Sequence, residues 1–224
     1  MKEKLCICLP GHDFSYMWLA SFCDMISRLQ ERFQIIYLFS QGCNLFDVRN
    51  GFINHLRNFK PDYILWIDSD NQVSIEGFNK LHEFISSHPE CDAIGGWYLM
   101  NTMMKGNLIA AGWDDNSRPD ALELHTKTEP FEVDYIGFGF LLMRMSAIDA
   151  FDRNDVFRPR FDPIRNGFHG DDVSFCYEAV FDKGMKFYLH PQVQVPHLKL
   201  MPLPIIKFMP KPLVGIEEEF AVPV

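Results

Sequence analysis

Asp68-Ser69-Asp70 follows directly on the apolar run Tyr63-Ile64-Leu65-Trp66-Ile67. Five apolar residues rich in aromatic and branched side chains predict a strand buried on both faces, as in a parallel sheet. The carboxyl end of such a strand is where open α/β sheets place their ligands. Two carboxylates spaced i and i+2 there can converge on one hard divalent cation. Oxygen ligands suit Mg²⁺ or Mn²⁺, and such sites usually share the metal with substrate phosphates. The pattern points to phosphate-linked chemistry. The plain alternative is a solvated turn in which Ser69 and Asn71 make local side-chain bonds.

Three further groups could act with this pair. Gly170-Asp171-Asp172 opens a predicted helix. Carboxylates there cap the helix and complement its dipole, or one of them serves as a general base that takes a proton from an attacking hydroxyl. His169, just before them, is either a neighbour of the site or an exposed loop residue. His197 follows a short strand and Pro196; imidazole completes an oxygen-rich Mn²⁺ site more readily than a Mg²⁺ one, and a structural role is the alternative. Arg49 lies mid-helix, either as a clamp for diphosphate oxygens or as a surface side chain.

Hydrophobic spacing predicts the elements that must position these groups. Strands are expected over 4–9, 34–39, 63–67 and 92–97, with helices over 16–31 and 45–59 and a third helix from a Ser74 cap to just before Pro89. The βαβαβ alternation implies a parallel sheet with right-handed crossovers. Residues 98–132 show no period and read as long loops with room for a hairpin, a kind of segment that is usually functional. The run 133–145 is apolar, and Gly137 and Gly139 within it suggest a bend or the close approach of backbone to something bound. A helix over 171–181 and short strands at 186–189 and 192–195 complete the pattern.

At 224 residues the chain suits one larger α/β domain, and 47% hydrophobic with 23% charged residues is ordinary for a globular protein. A net charge of −9, with no Lys/Arg cluster, speaks against a nucleic-acid surface. No apolar stretch approaches the ~20 residues of a membrane span. None of the six cysteines forms a CxxC pair, and reduced thiols in a cytoplasmic protein are expected. The 21 phenylalanines read mostly as core. One domain is expected over 1–200, with 201–224, which holds five prolines and Glu217-Glu218-Glu219, as a tail packed on it or trailing from it.

In order and spacing these residues resemble a known family. Pro10 ends the first strand, Arg49-Asn50 precedes Asp68-Ser69-Asp70, and Gly95-Gly96-Trp97-Tyr98 follows. Then come Asp134-Tyr135-Ile136-Gly137-Phe138-Gly139-Phe140, Gly170-Asp171-Asp172-Val173-Ser174-Phe175-Cys176, Gly184-Met185-Lys186-Phe187-Tyr188-Leu189 and Val195-Pro196-His197. Over about residues 4–200 the chain is similar to GT-A fold nucleotide-sugar glycosyltransferases of the family 2 type, with its small bacterial and viral relatives.

The resemblance implies a single-domain, Rossmann-like α/β fold with a mixed, mainly parallel sheet flanked by helices. It implies a nucleotide-sugar donor, a UDP-sugar by default, and a glycan or other hydroxyl acceptor. Asp68 and Asp70 match the DxD motif that holds Mn²⁺ or Mg²⁺ against the donor diphosphate, with Ser69 between them, and His197 matches a metal-ligand histidine of some members. Asp172 matches the catalytic base of inverting enzymes; Asp171 stands where Glu is usual, which leaves the role of that position open. Pro10, Gly11, His12 and Asp13 match the segment lining the nucleoside pocket, and Arg49 an arginine near the donor. Gly137, Phe138, Gly139 and Phe140 match a segment on the acceptor side, where Trp97, Tyr98, Trp113 and His169 are further candidates to meet substrate. A retaining reaction, a non-catalytic sugar-nucleotide or glycan-binding module, and a haloacid-dehalogenase-type phosphohydrolase remain alternatives; Gln72 stands where the last of these has Thr or Val.

Overall fold

The computed structural model describes residues 2–11, 13–100, 109–112, 121–163 and 166–198. The order of elements is β1 (Glu3–Pro10), α1 (Tyr16–Leu29), β2 (Phe33–Ser40), α2 (Leu45–Phe59), β3 (Tyr63–Ile67), α3 (Ile75–Ser87), β4 (Ala93–Trp97), β5 (Ala111–Gly112) and α4 (Ala121–Leu124). These are followed by β6 (Phe131–Val133), β7 (Tyr135–Ile136), β8 (Phe140–Arg144), α5 (Met145–Asp149), β9 (Phe161–Asp162), β10 (Gly167–Phe168), α6 (Asp171–Tyr177), a π-helical turn (Glu178–Asp182) and β11 (Phe187–Gln194).

A seven-stranded sheet runs β2-β1-β3-β8-β4-β11-β6. β1 pairs in parallel with β2 and β3, and β4 with β11, whereas β8 lies antiparallel between β3 and β4. The sheet is therefore mixed and the fold α/β. Strand alternation sends Leu5, Ile7 and Leu9 to one face, where Trp18, Met25 and Leu29 of α1 and Phe78, Leu81 and Ile85 of α3 cover them. Cys6, Cys8, Ile64 and Trp66 face the other way, against Val48, Phe52, Ile53 and Leu56 of α2 and Phe175 of α6. Covering both faces is why β3 reads as an unbroken apolar run and is wholly buried.

The helices start where polar caps allow. Ser15 Oγ accepts from the Trp18 amide, Asn44 Oδ1 from Phe46, and Ser74 Oγ from Gly77. All six cysteines are free thiols.

Three expectations change. The expected strands at 186–189 and 192–195 are one strand, β11, whose pairing with β4 shifts register between Leu189 and Gln194. The helix expected over 171–181 is α-helical only to Tyr177 before widening into the π turn. The approach at Gly137 and Gly139 is internal, because Tyr98 and Asn71 fill the space. A Cβ on Gly137 would sit 2.1 Å from the Tyr98 hydroxyl, and one on Gly139 would sit 2.5 Å from Asn71 Oδ1. Gly137→Ala is expected to destabilise the fold by about 1–3 kcal/mol through overpacking, read as a lower urea midpoint. Adding Tyr98→Phe, which removes the nearest clashing atom, should recover part of that loss.

Within 98–132, Leu99 pairs antiparallel with Ile109, and β5 pairs with β7. The expected tail at 201–224, His12 and Trp113 lie outside the described residues.

Candidate active site

Asp68 to Asp70 leave the carboxyl end of β3 between two neighbours. On one side the end of β1 comes so close that a Cβ on Gly11 would lie 2.5 Å from Ser69 Cβ; only glycine admits this contact. On the other, the segment after β11 is laced to the turn. The Gln72 amide donates to the Pro196 carbonyl (2.9 Å), the Leu198 amide to the Asp70 carbonyl (2.6 Å), and Asn71 pairs with His197 in an antiparallel bridge. Trp18 Nε1 donates to the Asp68 carbonyl at 3.0 Å, pinning the turn to α1.

A cleft of about 470 Å³ opens here, lined by Pro10, Gly11, Asp13, Gly42, Cys43, Leu45 and Asp68 to Asp70. Pro10, Gly11, Asp13 and the Asp68-to-Asp70 turn are the expected donor-side residues; Gly42, Cys43 and Leu45, which the β2–α2 connection brings alongside, carry no signal in the sequence.

Asp70 and His197 meet. His197 Nε2 lies 3.0 Å from Asp70 Oδ2, while Nδ1 lies 2.7 Å from the Leu99 carbonyl. A carbonyl only accepts, so Nδ1 carries the proton, and a neutral ring then turns its Nε2 lone pair on a carboxylate. Two lone pairs at that distance need a proton or a cation between them. Donor atoms about 3 Å apart are what two cis ligands of an octahedral cation with bonds near 2.1 Å present. The pair fits Mn²⁺ or Mg²⁺ as two of its ligands. Asp68 Oδ1 accepts from Arg49 at 3.0 Å, and among the described residues no group of three His, Cys, Asp or Glu side chains is placed to hold an ion.

Arg49 is not on the surface. It is 2% exposed, donating from Nη2 to Asp68 and from Nε to Asp171 Oδ2, with its guanidinium over the rings of Trp66 and Phe138 at 5.3 and 4.8 Å. Burial opposes its charge, but Asp68, Asp171 and Asp172 outweigh burial and hold it above the ordinary arginine value. Burial likewise pushes the Asp68 carboxyl up, with Arg49 pulling it back. Asp171, one of the two acids read as catalytic, is buried and committed to Arg49.

Asp172 is different. It lies in the first turn of α6, and its Oδ1 accepts from the Val173 amide at 2.8 Å. Burial first, then the neighbouring Asp171, raise its carboxyl to about 6. An acid poised there is ionised at neutral pH yet basic enough to accept a proton.

The remaining candidates are placed as follows. Trp97 is 1% exposed, donates from Nε1 to the Pro191 carbonyl, and is a core residue with no ring face open to a sugar. Phe138 is fully buried among Trp66, Phe157 and Phe175. Tyr98 is also buried, and its ring edge meets His197. His169 is half-buried, 3.8 Å from Asp162 and edge-on to Tyr177.

No family model matches this sequence, and no curated protein does. Solved structures do. The structure of A197 from STIV superposes with a TM-score of 0.54 at 14% identity, covering 90% of this chain and 97% of that one. GalNAc-T7, solved with UDP, GalNAc and Mn²⁺, superposes with a TM-score of 0.55 at 14% identity over 91% of this chain, which spans 46% of the GalNAc-T7 chain. With a mixed sheet, an acidic turn at the end of β3 and helices on both faces, the chain has the GT-A fold.

Proposed function

We propose that this protein is a metal-dependent glycosyltransferase. It moves a sugar from a nucleoside-diphosphate sugar, a UDP-sugar foremost, to a hydroxyl acceptor with inversion. The observation that carries this reading is Arg49. By bonding to both Asp68 and Asp171 it ties the acidic turn of the donor cleft to the helix that bears Asp172. A ligand-binding turn and a poised base thus share one buried anchor. The UDP, GalNAc and Mn²⁺ held by GalNAc-T7, whose fold this chain shares, support the choice of donor and ion.

In this reading Pro10, Gly11 and Asp13 line the nucleoside end of the cleft, and Asp70 with His197 holds the cation, with Asp68 alongside. The ion, when bound, neutralises charge on the leaving diphosphate. Asp172 takes the proton of the acceptor hydroxyl as its oxygen attacks the anomeric carbon and the nucleoside diphosphate leaves from the opposite face. Arg49 and Asp171 hold the base helix in register with the donor.

Saturating UDP with Mn²⁺, at about 100 times Kd, is expected to raise Tm by about 5–10 °C. EDTA should abolish the effect, and His197→Ala should weaken Mn²⁺ binding by roughly 10- to 100-fold or more. A Tm indifferent to every nucleotide and metal tested would sink the donor assignment. Metal-dependent stabilisation without any transfer would favour a non-catalytic sugar-nucleotide-binding module.

A further inference from the structure

The chain displays two aromatic rings where its own pattern should hide them. β9 and β10 form a small antiparallel hairpin in which Phe161 stands opposite Phe168 and Asp162 opposite Gly167. Side chains alternate across a strand, so the two phenylalanines share one face and Asp162 takes the other. An ordinary surface hairpin buries its rings and shows its carboxylate to water. Here the order is inverted: Phe168 is 69% and Phe161 49% exposed, whereas Asp162 is 8% exposed. The rings lean edge to face with centroids 5.4 Å apart, forming a corner.

The hairpin is anchored to the base helix. The His169 amide donates to the Arg160 carbonyl, the Arg160 amide to Ser174 Oγ of α6, and Ser174 Oγ to the His169 carbonyl, while Asp162 faces His169 beneath. Phe168 and Asp172 are four positions apart in the chain, so their Cα atoms are at most about 14 Å apart. An acceptor of one or two sugar units reaching for Asp172 can extend to these rings.

We infer that Phe161 and Phe168 form the platform on which a pyranose ring of the acceptor stacks; this rests on the transfer reading above. The electron-rich face of an aromatic ring attracts the weakly positive axial C–H groups of a sugar. A lipid surface fits less well, because two rings bury little apolar area and the chain carries a net charge of −9 with no basic cluster. Trp97, expected to meet substrate, is buried, whereas these two rings are open.

The test uses the full chain, ¹³C-labelled in its aromatic rings, with Phe161→Ala, Phe168→Ala and the double variant. Each exposed substitution should leave Tm within about 2 °C, as surface changes do. The wild-type protein is titrated with the methyl pyranosides of glucose, galactose, mannose and N-acetylglucosamine, with lactose and cellobiose, and with phosphatidylcholine vesicles. The expected result is a shift of the Phe161 and Phe168 ring resonances with at least one saccharide, and roughly tenfold weaker binding in the double variant. The UDP–Mn²⁺ thermal shift should be unchanged in that variant. The inference is overturned if no saccharide moves these resonances, if binding survives the double substitution, or if only vesicles engage the rings. A missing UDP–Mn²⁺ shift in the wild type would instead count against the transfer reading, so the two failures are separable.

Discussion

Asp172→Asn is expected to lower transfer by about 10²- to 10⁴-fold, the range for loss of a general base, while making the protein more stable at neutral pH. Burial and Asp171 raise the Asp172 carboxyl to about 6. A raised carboxyl means that the fold disfavours the ionised form. Its contribution to stability is therefore fully present below the unfolded value near 4 and is lost as pH rises through about 6. Asparagine keeps an oxygen for the Val173 amide and never ionises. At pH 7.5 the variant should gain on the order of 2 kcal/mol after allowance for partial exposure. Below pH 4 the gain should vanish, because the wild-type side chain is then neutral as well. In the wild type, kcat/KM should climb about tenfold per pH unit up to roughly pH 6 and then level off. UDP–Mn²⁺ binding should survive the substitution. Thermal melts at pH 3.5 and 7.5 beside a transfer assay decide it, and transfer that persists in the Asn variant would remove Asp172 from the role of base.

Arg49→Met should be the most destabilising single change at the site. Methionine fills the space between Trp66 and Phe138 but leaves Asp68 and Asp171 buried without their shared cation. Removing one partner of a buried ionic group costs about 3–5 kcal/mol, or a fall in Tm of roughly 6–20 °C for a chain of this size. Arg49→Lys should recover only part of this, because a point charge cannot donate in two directions with the guanidinium's fixed geometry. The diagnostic measurement is a double-mutant cycle. In an Asp171→Asn background the cost of Arg49→Met should shrink by about 1–3 kcal/mol, the coupling expected of a direct contact. Additive losses would mean that Arg49 merely packs and does not join the two motifs.

How much of this was legible beforehand follows from how local each feature is. The apolar run 63–67 and the helical spacing of 45–59 are properties of neighbours in sequence, and both elements form as expected. The Ser74 cap lies three residues from the amide it satisfies. Two short strands are expected at 186–189 and 192–195, yet a single strand continues through Pro191 with a shift of register against β4. The glycines at 137 and 139 announced a close approach without saying to what; Tyr98 and Asn71 arrive from other parts of the chain.

The sequence by itself determined the α/β class, the Asp68-Ser69-Asp70 turn at a strand end and the acids at a helix start, because hydrophobic period and strand-end position are written in adjacent residues. Only the tertiary structure decided what those groups touch. Asp70 meets a histidine 127 positions away, and Arg49 reaches acids 19 and 122 positions off. Residue type left Arg49 free to be a surface charge, Trp97 to meet substrate and Phe161 to be a core residue. Burial settled each of these, and burial is set by which elements pack together through space.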